Sequence, residues 1–131
     1  MRRAISVAIV AVLSVVPAGE GQARPNVRQY RIRVDTTSSC RFEILDDLGN
    51  DARHEHISRG DSVSWISNTG GLLIDFASGH YPFSQPPPFS ASQGSPTTRV
   101  NISDDTPSGS YWYYATVTPK DCTARIEIIV N

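Results

Sequence analysis

Tyr111-Trp112-Tyr113-Tyr114-Ala115-Thr116-Val117 and Ala124-Arg125-Ile126-Glu127-Ile128-Ile129-Val130 are the two stretches on which the fold turns. In the second, Ala124, Ile126, Ile128 and Val130 alternate with Arg125 and Glu127, the two-residue period of a half-buried strand. In the first, consecutive aromatics favour an extended backbone. Alternate members of a strand face opposite sides, so at least one aromatic pair belongs to a core. Thr118-Pro119-Lys120-Asp121 connects the two. Working outward toward the N-terminus, the same alternation recurs in Arg99-Val100-Asn101-Ile102, in Ser62-Val63-Ser64-Trp65-Ile66, and in Cys40, Phe42 and Ile44 against Arg41 and Glu43. Tyr30, Ile32 and Val34 alternate with Gln29, Arg31 and Arg33. Leu72 to Phe76 reads as a further strand and His54-Glu55-His56-Ile57 as a short one. Turn formers separate them: Asp46 to Asp51, Arg59-Gly60-Asp61, Asn68-Thr69-Gly70-Gly71 and Asp104 to Gly109. No sustained 3.6-residue apolar period occurs among them. The pattern predicts an all-β, seven- or eight-stranded Greek-key β-sandwich. Between Gly79 and Pro96, Pro82, Pro86, Pro87 and Pro88 exclude a helix or a central strand and predict one long surface loop.

The chain has 131 residues, enough for one domain. Arg2 and Arg3 precede an apolar run from Ala4 to Val16, interrupted only by Ser6 and Ser14. Val16-Pro17-Ala18 then supplies small residues for cleavage, and Ala23 ends a second such site. This is the layout of a secretory signal peptide over residues 1–18, with cleavage as late as 23 and the domain over 24–131. The apolar run is shorter than the ~20 residues that span a bilayer, so no membrane span is expected. The expected destination is secreted or periplasmic. Twelve Lys+Arg stand against thirteen Asp+Glu, and loss of Arg2 and Arg3 leaves 10 − 13 = −3. That balance lacks the basic footprint of a nucleic-acid binder. A soluble monomer is expected, its partner an unidentified protein or ligand.

Cys40 and Cys122 are the only cysteines. An exported chain meets an oxidising compartment, where an even count predicts a disulfide. The bridge would tie the first part of the sandwich to the last. No C-x-x-C motif is present, and neither cysteine has a histidine within four positions.

Three other groups carry possible chemistry. His54 and His56 lie at i and i+2, on one face of a strand. With His80 they form the alternative metal set, for copper or another divalent transition metal. Two imidazoles alone are few for a site, and a polar strand edge is the competing reading. His80 to Phe89 is Pro-rich with aromatics. Phe83 and Phe89 in it are either a recognition surface or a cover tucked onto the end of the sandwich. Trp112 and Tyr114 complete the candidate binding surface. For catalysis the inventory is thin: no nucleophile elbow, phosphate-binding loop or dinucleotide fingerprint occurs, and Asp46-Asp47 and Asp104-Asp105 suit turns. A non-catalytic protein is expected. Asn101-Ile102-Ser103 is a glycosylation sequon, relevant only in a eukaryotic source.

From Gly60 onward the order of motifs resembles the cupredoxin family, the plastocyanin- and azurin-like domains. Gly60-Asp61-Ser62-Val63-Ser64-Trp65 is similar to the family's entry into a central strand. Asn68 to Phe76 resembles its next turn and strand, Gly109 to Tyr114 its aromatic strand, and Arg125 to Val130 its closing strand. An immunoglobulin-like sandwich is the runner-up from the order Cys40, Trp65, Cys122, but Lys120 stands where that fold carries a tyrosine before its second cysteine. The cupredoxin resemblance implies a type-1 copper site of two imidazoles, one thiolate and a weak axial thioether. The matching positions hold Leu72 or Leu73 for the first histidine and Ala115 for the cysteine. The loop from Thr116 to Thr123 contains neither His nor Met. The expectation is therefore a module without type-1 copper or other cofactor, its former site packed with Leu72, Leu73 and Ala115.

Overall fold

The alternating stretches all form strands. In the computed structural model, which describes residues 26–35, 40–77, 79–118 and 122–131, the expected leader lies outside the described residues. The strands are β1 (Val27–Asp35), β2 (Arg41–Leu45), β3 (His54–Ile57), β4 (Ser62–Ile66), β5 (Leu72–Phe76), β6 (Phe89–Ala91), β7 (Val100–Asn101), β8 (Gly109–Val117) and β9 (Cys122–Val130). They make a four-stranded sheet in the order β2-β1-β4-β7 and a five-stranded sheet in the order β3-β9-β8-β5-β6. β1 pairs in parallel with β4, and β3 with β9; the other ladders are antiparallel. Parallel neighbours distant in sequence require the chain to cross between sheets, as in Greek-key sandwiches.

Nine strands among the described residues exceed the seven or eight expected. The difference arises in the Pro-rich stretch, expected to be a single loop. Phe89–Ala91 forms an edge strand against β5, with Leu73 opposite Ser90. Proline bars a central strand, but an edge strand can begin directly after Pro88 because its outer side needs no ladder partner.

Alternation decides which side chains meet. Tyr30, Ile32 and Val34 of β1 face Val63 and Trp65 of β4 around one interior, and Tyr111, Tyr113, Ala115 and Val117 of β8 enter it from the other sheet. Trp65 is fully buried at its centre. It stacks on Phe89 at 6.0 Å and meets Phe83 and Tyr113 edge-on at 5.9 and 5.5 Å. Such offset and edge-to-face contacts add to area burial because ring edges are positive and faces negative. The indole Nε1–H donates to Tyr113 Oη at 3.1 Å, which satisfies a donor that burial would otherwise penalise.

Cys40 and Cys122 are disulfide-bonded, with Cα atoms 5.4 Å apart. Cys40 precedes β2 in one sheet and Cys122 opens β9 in the other, so the bridge staples the two layers. At the same end, the turn before β5 presses on the residue after β8. A Cβ on Gly70 would lie 1.8 Å from the Thr118 carbonyl oxygen, a distance no side chain can occupy. Thr118 N–H donates to the Gly71 carbonyl at 2.9 Å across the same contact.

Candidate functional site

The strand end that the resemblance leads one to compare with a metal position is built from β5 and β8. Ala115 sits opposite Ile74 and Ala124, and Leu72 sits opposite Val117. Ala115 and Leu72 are buried among apolar neighbours. Leu73 does not join them, contrary to the expectation that it packs this end. The register turns Leu72, Ile74 and Phe76 inward, so Leu73 points outward beside Thr116 and is 40% exposed. The nearby sulfurs are those of Cys40 and Cys122, both held in the disulfide.

The three histidines have separate partners. His54 and His56 both lie on the outer side of β3, as strand alternation requires. His54 Nδ1 is 2.9 Å from Glu127 Oε1, and His56 Nδ1 is 3.0 Å from Asn131 Oδ1. His80 instead stacks on Tyr111 at 4.5 Å and directs Nε2 to the Ser110 carbonyl at 3.3 Å. Among the described residues no three His, Cys, Asp or Glu side chains come together in a group able to hold a metal ion. Hydrogen bonding from Ser110, followed by that from His54, holds the Glu127 carboxyl below its ordinary value of 4.5.

The candidate binding surface divides in two. Phe83 and Phe89 are buried against Trp65, at 4% and 8% exposure, and so leave that surface. Their burial follows from the long loop folding back over the sandwich, where Phe83 bridges to Ile102. Trp112 and Tyr114 do face outward from the five-stranded sheet. Trp112 is half-buried beneath the Arg125 guanidinium, 4.2 Å from its ring centre, a cation–π contact. Tyr114 is exposed on the same face, between Arg125 and Asp75.

A fourth cluster escapes sequence reading. Asp61 is 2% exposed and accepts hydrogen bonds from Asn26 N–H (2.9 Å) and Ser58 N–H (3.1 Å). Arg28 Nε lies 3.4 Å from the same carboxylate, and Arg28 Nη1 lies 3.7 Å from Glu55. Beside them is the buried Tyr30 hydroxyl, with Arg28 and Glu55 as its charged neighbours. Burial, followed by the charge of Glu55, pushes its pKa well above the usual phenol value. Arg28, Tyr30 and Glu55, though not Asp61, line a cleft of about 230 Å³ with Val27, Leu48, Asp46 and Asp47. The Arg59-Gly60-Asp61 motif announces a turn, and Tyr30 reads as a core position. Nothing in the linear pattern places them beside Glu55 of the opposite sheet.

No protein-family model matches the chain, and no curated protein does. Solved structures do resemble it. A chain of a heme-copper terminal oxidase dimer superposes with a TM-score of 0.50 at 16% identity, over 93% of this chain and 78% of that one. A reduced Cu(I) form of an amicyanin mutant is similar at a TM-score of 0.45 and 16% identity, over 86% of this chain and 87% of that one. A multicopper oxidase from Aquifex aeolicus is similar at 0.48 and 11% identity, over 88% of this chain and 30% of that one. At such identities the likeness concerns fold alone. The fold is an all-β, cupredoxin-like sandwich of two sheets, fastened by one disulfide.

Proposed function

We propose that the chain is an exported, non-enzymatic cupredoxin-like module that carries no type-1 copper and serves as a binding or structural domain. One observation carries the reading: the only two cysteines are bonded to each other, which leaves no thiolate to form the short copper–sulfur bond of such a centre. The donor set at the matching strand end agrees. Leu72 and Ala115 offer hydrocarbon, and the sole methionine is Met1. Those residues do not fit the metal. A disulfide linking both sheets supports an oxidising destination, in keeping with the leader-like N-terminus. Trp112 and Tyr114, outward on the five-stranded sheet, are the residues through which a binding role would act.

Calorimetric titration of the disulfide-intact chain with Cu(II), beside the His54→Ala/His56→Ala variant, tests this reading against the metal-binding alternative. The expected result is no stoichiometric site that depends on either histidine. A one-to-one site abolished in the variant would assign metal binding to His54 and His56 instead. N-terminal sequencing of the chain released by producing cells checks export: it is expected to begin at Gly19 or Arg24, and an intact Met1 would contradict it.

A further inference from the structure

We propose that a second copy of this chain docks on the outer face of the five-stranded sheet, related to the first by a two-fold axis running along β8. Such pairing rests on Trp112 and Tyr114 being the binding residues, and it replaces the monomer expected of the sequence. Ladder register fixes what the face presents. Arg125 of β9, Tyr114 of β8 and Asp75 of β5 stand side by side in one row across the sheet. Thr123, Thr116 and Leu73 form a second such row. Both rows face away from the side that buries Ala115 and Ile74, as strand alternation requires. Tyr114 is 42% exposed and Leu73 40%, so two of the four exposed large apolar side chains among the described residues share this face.

The order of charge in the first row selects the occupant. Arg125 and Asp75 flank Tyr114 two strand spacings apart, roughly 10 Å. The Arg125 guanidinium leans over Trp112, and Asp75 Oδ1 accepts the amide N–H of Phe76 at 2.9 Å. Neither charge takes part in an ion pair among the described residues. A two-fold axis along β8 reverses the row from left to right, so it sets Arg125 of each copy against Asp75 of the other. The same operation lays Tyr114 on Tyr114 and Leu73 against Thr123. A partner surface of one charge sign would meet a like charge somewhere in this row, whereas a second copy meets none.

The extent of the face sets the strength of pairing. Five strands at ~4.8 Å spacing make it about 19 Å wide, and the nine-residue β8 and β9 make it about 30 Å long at the centre. The flanking strands are shorter, so each copy offers roughly 500 Å², or about 1,000 Å² for the pair. That lies at the low end for a specific interface and corresponds to a transient dimer rather than an obligate one. Sheets stacked face to face with aligned strands are an ordinary packing. Because each copy uses the same face, the assembly closes at two.

The test is sedimentation equilibrium of the disulfide-intact chain from micromolar to millimolar concentration. The mean mass is expected to rise from one copy toward two and no further. Arg125→Asp and Asp75→Arg each bring like charges together at both symmetric contacts, and each alone is expected to weaken pairing about tenfold or more. Mixing the two folded variants sets the negative row of one against the positive row of the other, so the mixture is expected to be heavier than either alone. Tyr114→Ala is expected to weaken pairing about tenfold, the cost of truncating a central aromatic. A single-copy mass at every concentration, masses beyond two copies, pairing unchanged in Tyr114→Ala, or a mixture no heavier than its components would each overturn the proposal. A monomer whose Trp112 and Tyr114 NMR signals shift with soluble maltohexaose would also overturn it and would give the face to a glycan. None of these outcomes bears on the absence of type-1 copper, which the Cu(II) titration decides separately.

Discussion

Replacing both cysteines, with Cys40→Ser at the exposed partner and Cys122→Ala at the buried one, separates the staple from the rest of the core. The bridge closes a loop across a sequence separation of 82. In the chain-entropy model such a loop restricts the unfolded ensemble by about 4.5 kcal/mol. A domain of this size is stable by only ~5–15 kcal/mol, so the loss is a large fraction of the total. Its unfolding entropy, at ~2.1 cal/mol/K per residue over roughly 110 residues, is about 0.23 kcal/mol/K, and Tm falls by about 20 °C. Far-ultraviolet circular dichroism on heating measures Tm, and urea unfolding followed by Trp fluorescence measures the free energy. The strands persist in the variant at low temperature, because Trp65 and its aromatic neighbours hold the core without sulfur. A destabilisation below about 1 kcal/mol, or a Tm change of less than about 4 °C, would refute the staple's assigned role.

Tyr113→Phe leaves the Trp65 indole N–H without its acceptor and is expected to cost about 1–3 kcal/mol in urea unfolding; an unchanged midpoint would contradict that hydrogen bond. Gly70→Ala drives a methyl group into the Thr118 carbonyl and is expected to destabilise by about 1–3 kcal/mol; a stabilised variant would deny the close approach. Glu127 has its carboxyl pKa lowered by Ser110 and His54, so its contribution is present above the ordinary 4.5 and is lost as pH falls through the folded value. Carboxyl-resolved NMR of the native chain and of His54→Ala should find Glu127 titrating below 4.5 in the first and closer to 4.5 in the second. Identical titration in the two would remove His54 as a cause.

The strands were legible because alternation is a local property. Ala124 to Val130 and Tyr30 to Val34 declare their faces in the linear order, and the structure buries Tyr30, Ile32, Val34, Ile126, Ile128 and Val130 as alternation demands, with Ala124 partly buried. The disulfide was legible from count and compartment. Leu73 misled because two adjacent leucines look equally suited to a core, and only the pairing with Thr116 decides which turns inward. Phe83 and Phe89 were ambiguous for a related reason. A Pro-rich stretch reports a loop but not the surface against which that loop folds, and Trp65 supplied that surface. The cleft at Tyr30 depends on contact between β1 and β3, elements of different sheets separated by about twenty residues of unrelated pattern. No local period encodes such a meeting.

The account rests on both cysteine sulfurs being held in a bridge, with Ala115 at the position that the resemblance assigns to a thiolate ligand. Visible absorption of the unreduced chain after addition of one equivalent of Cu(II) tests this directly. The account predicts no intense thiolate-to-copper charge-transfer band and no change in the count of titratable thiols, which stays at zero. A strong blue band, with a thiol freed from the Cys40–Cys122 pair, would contradict it.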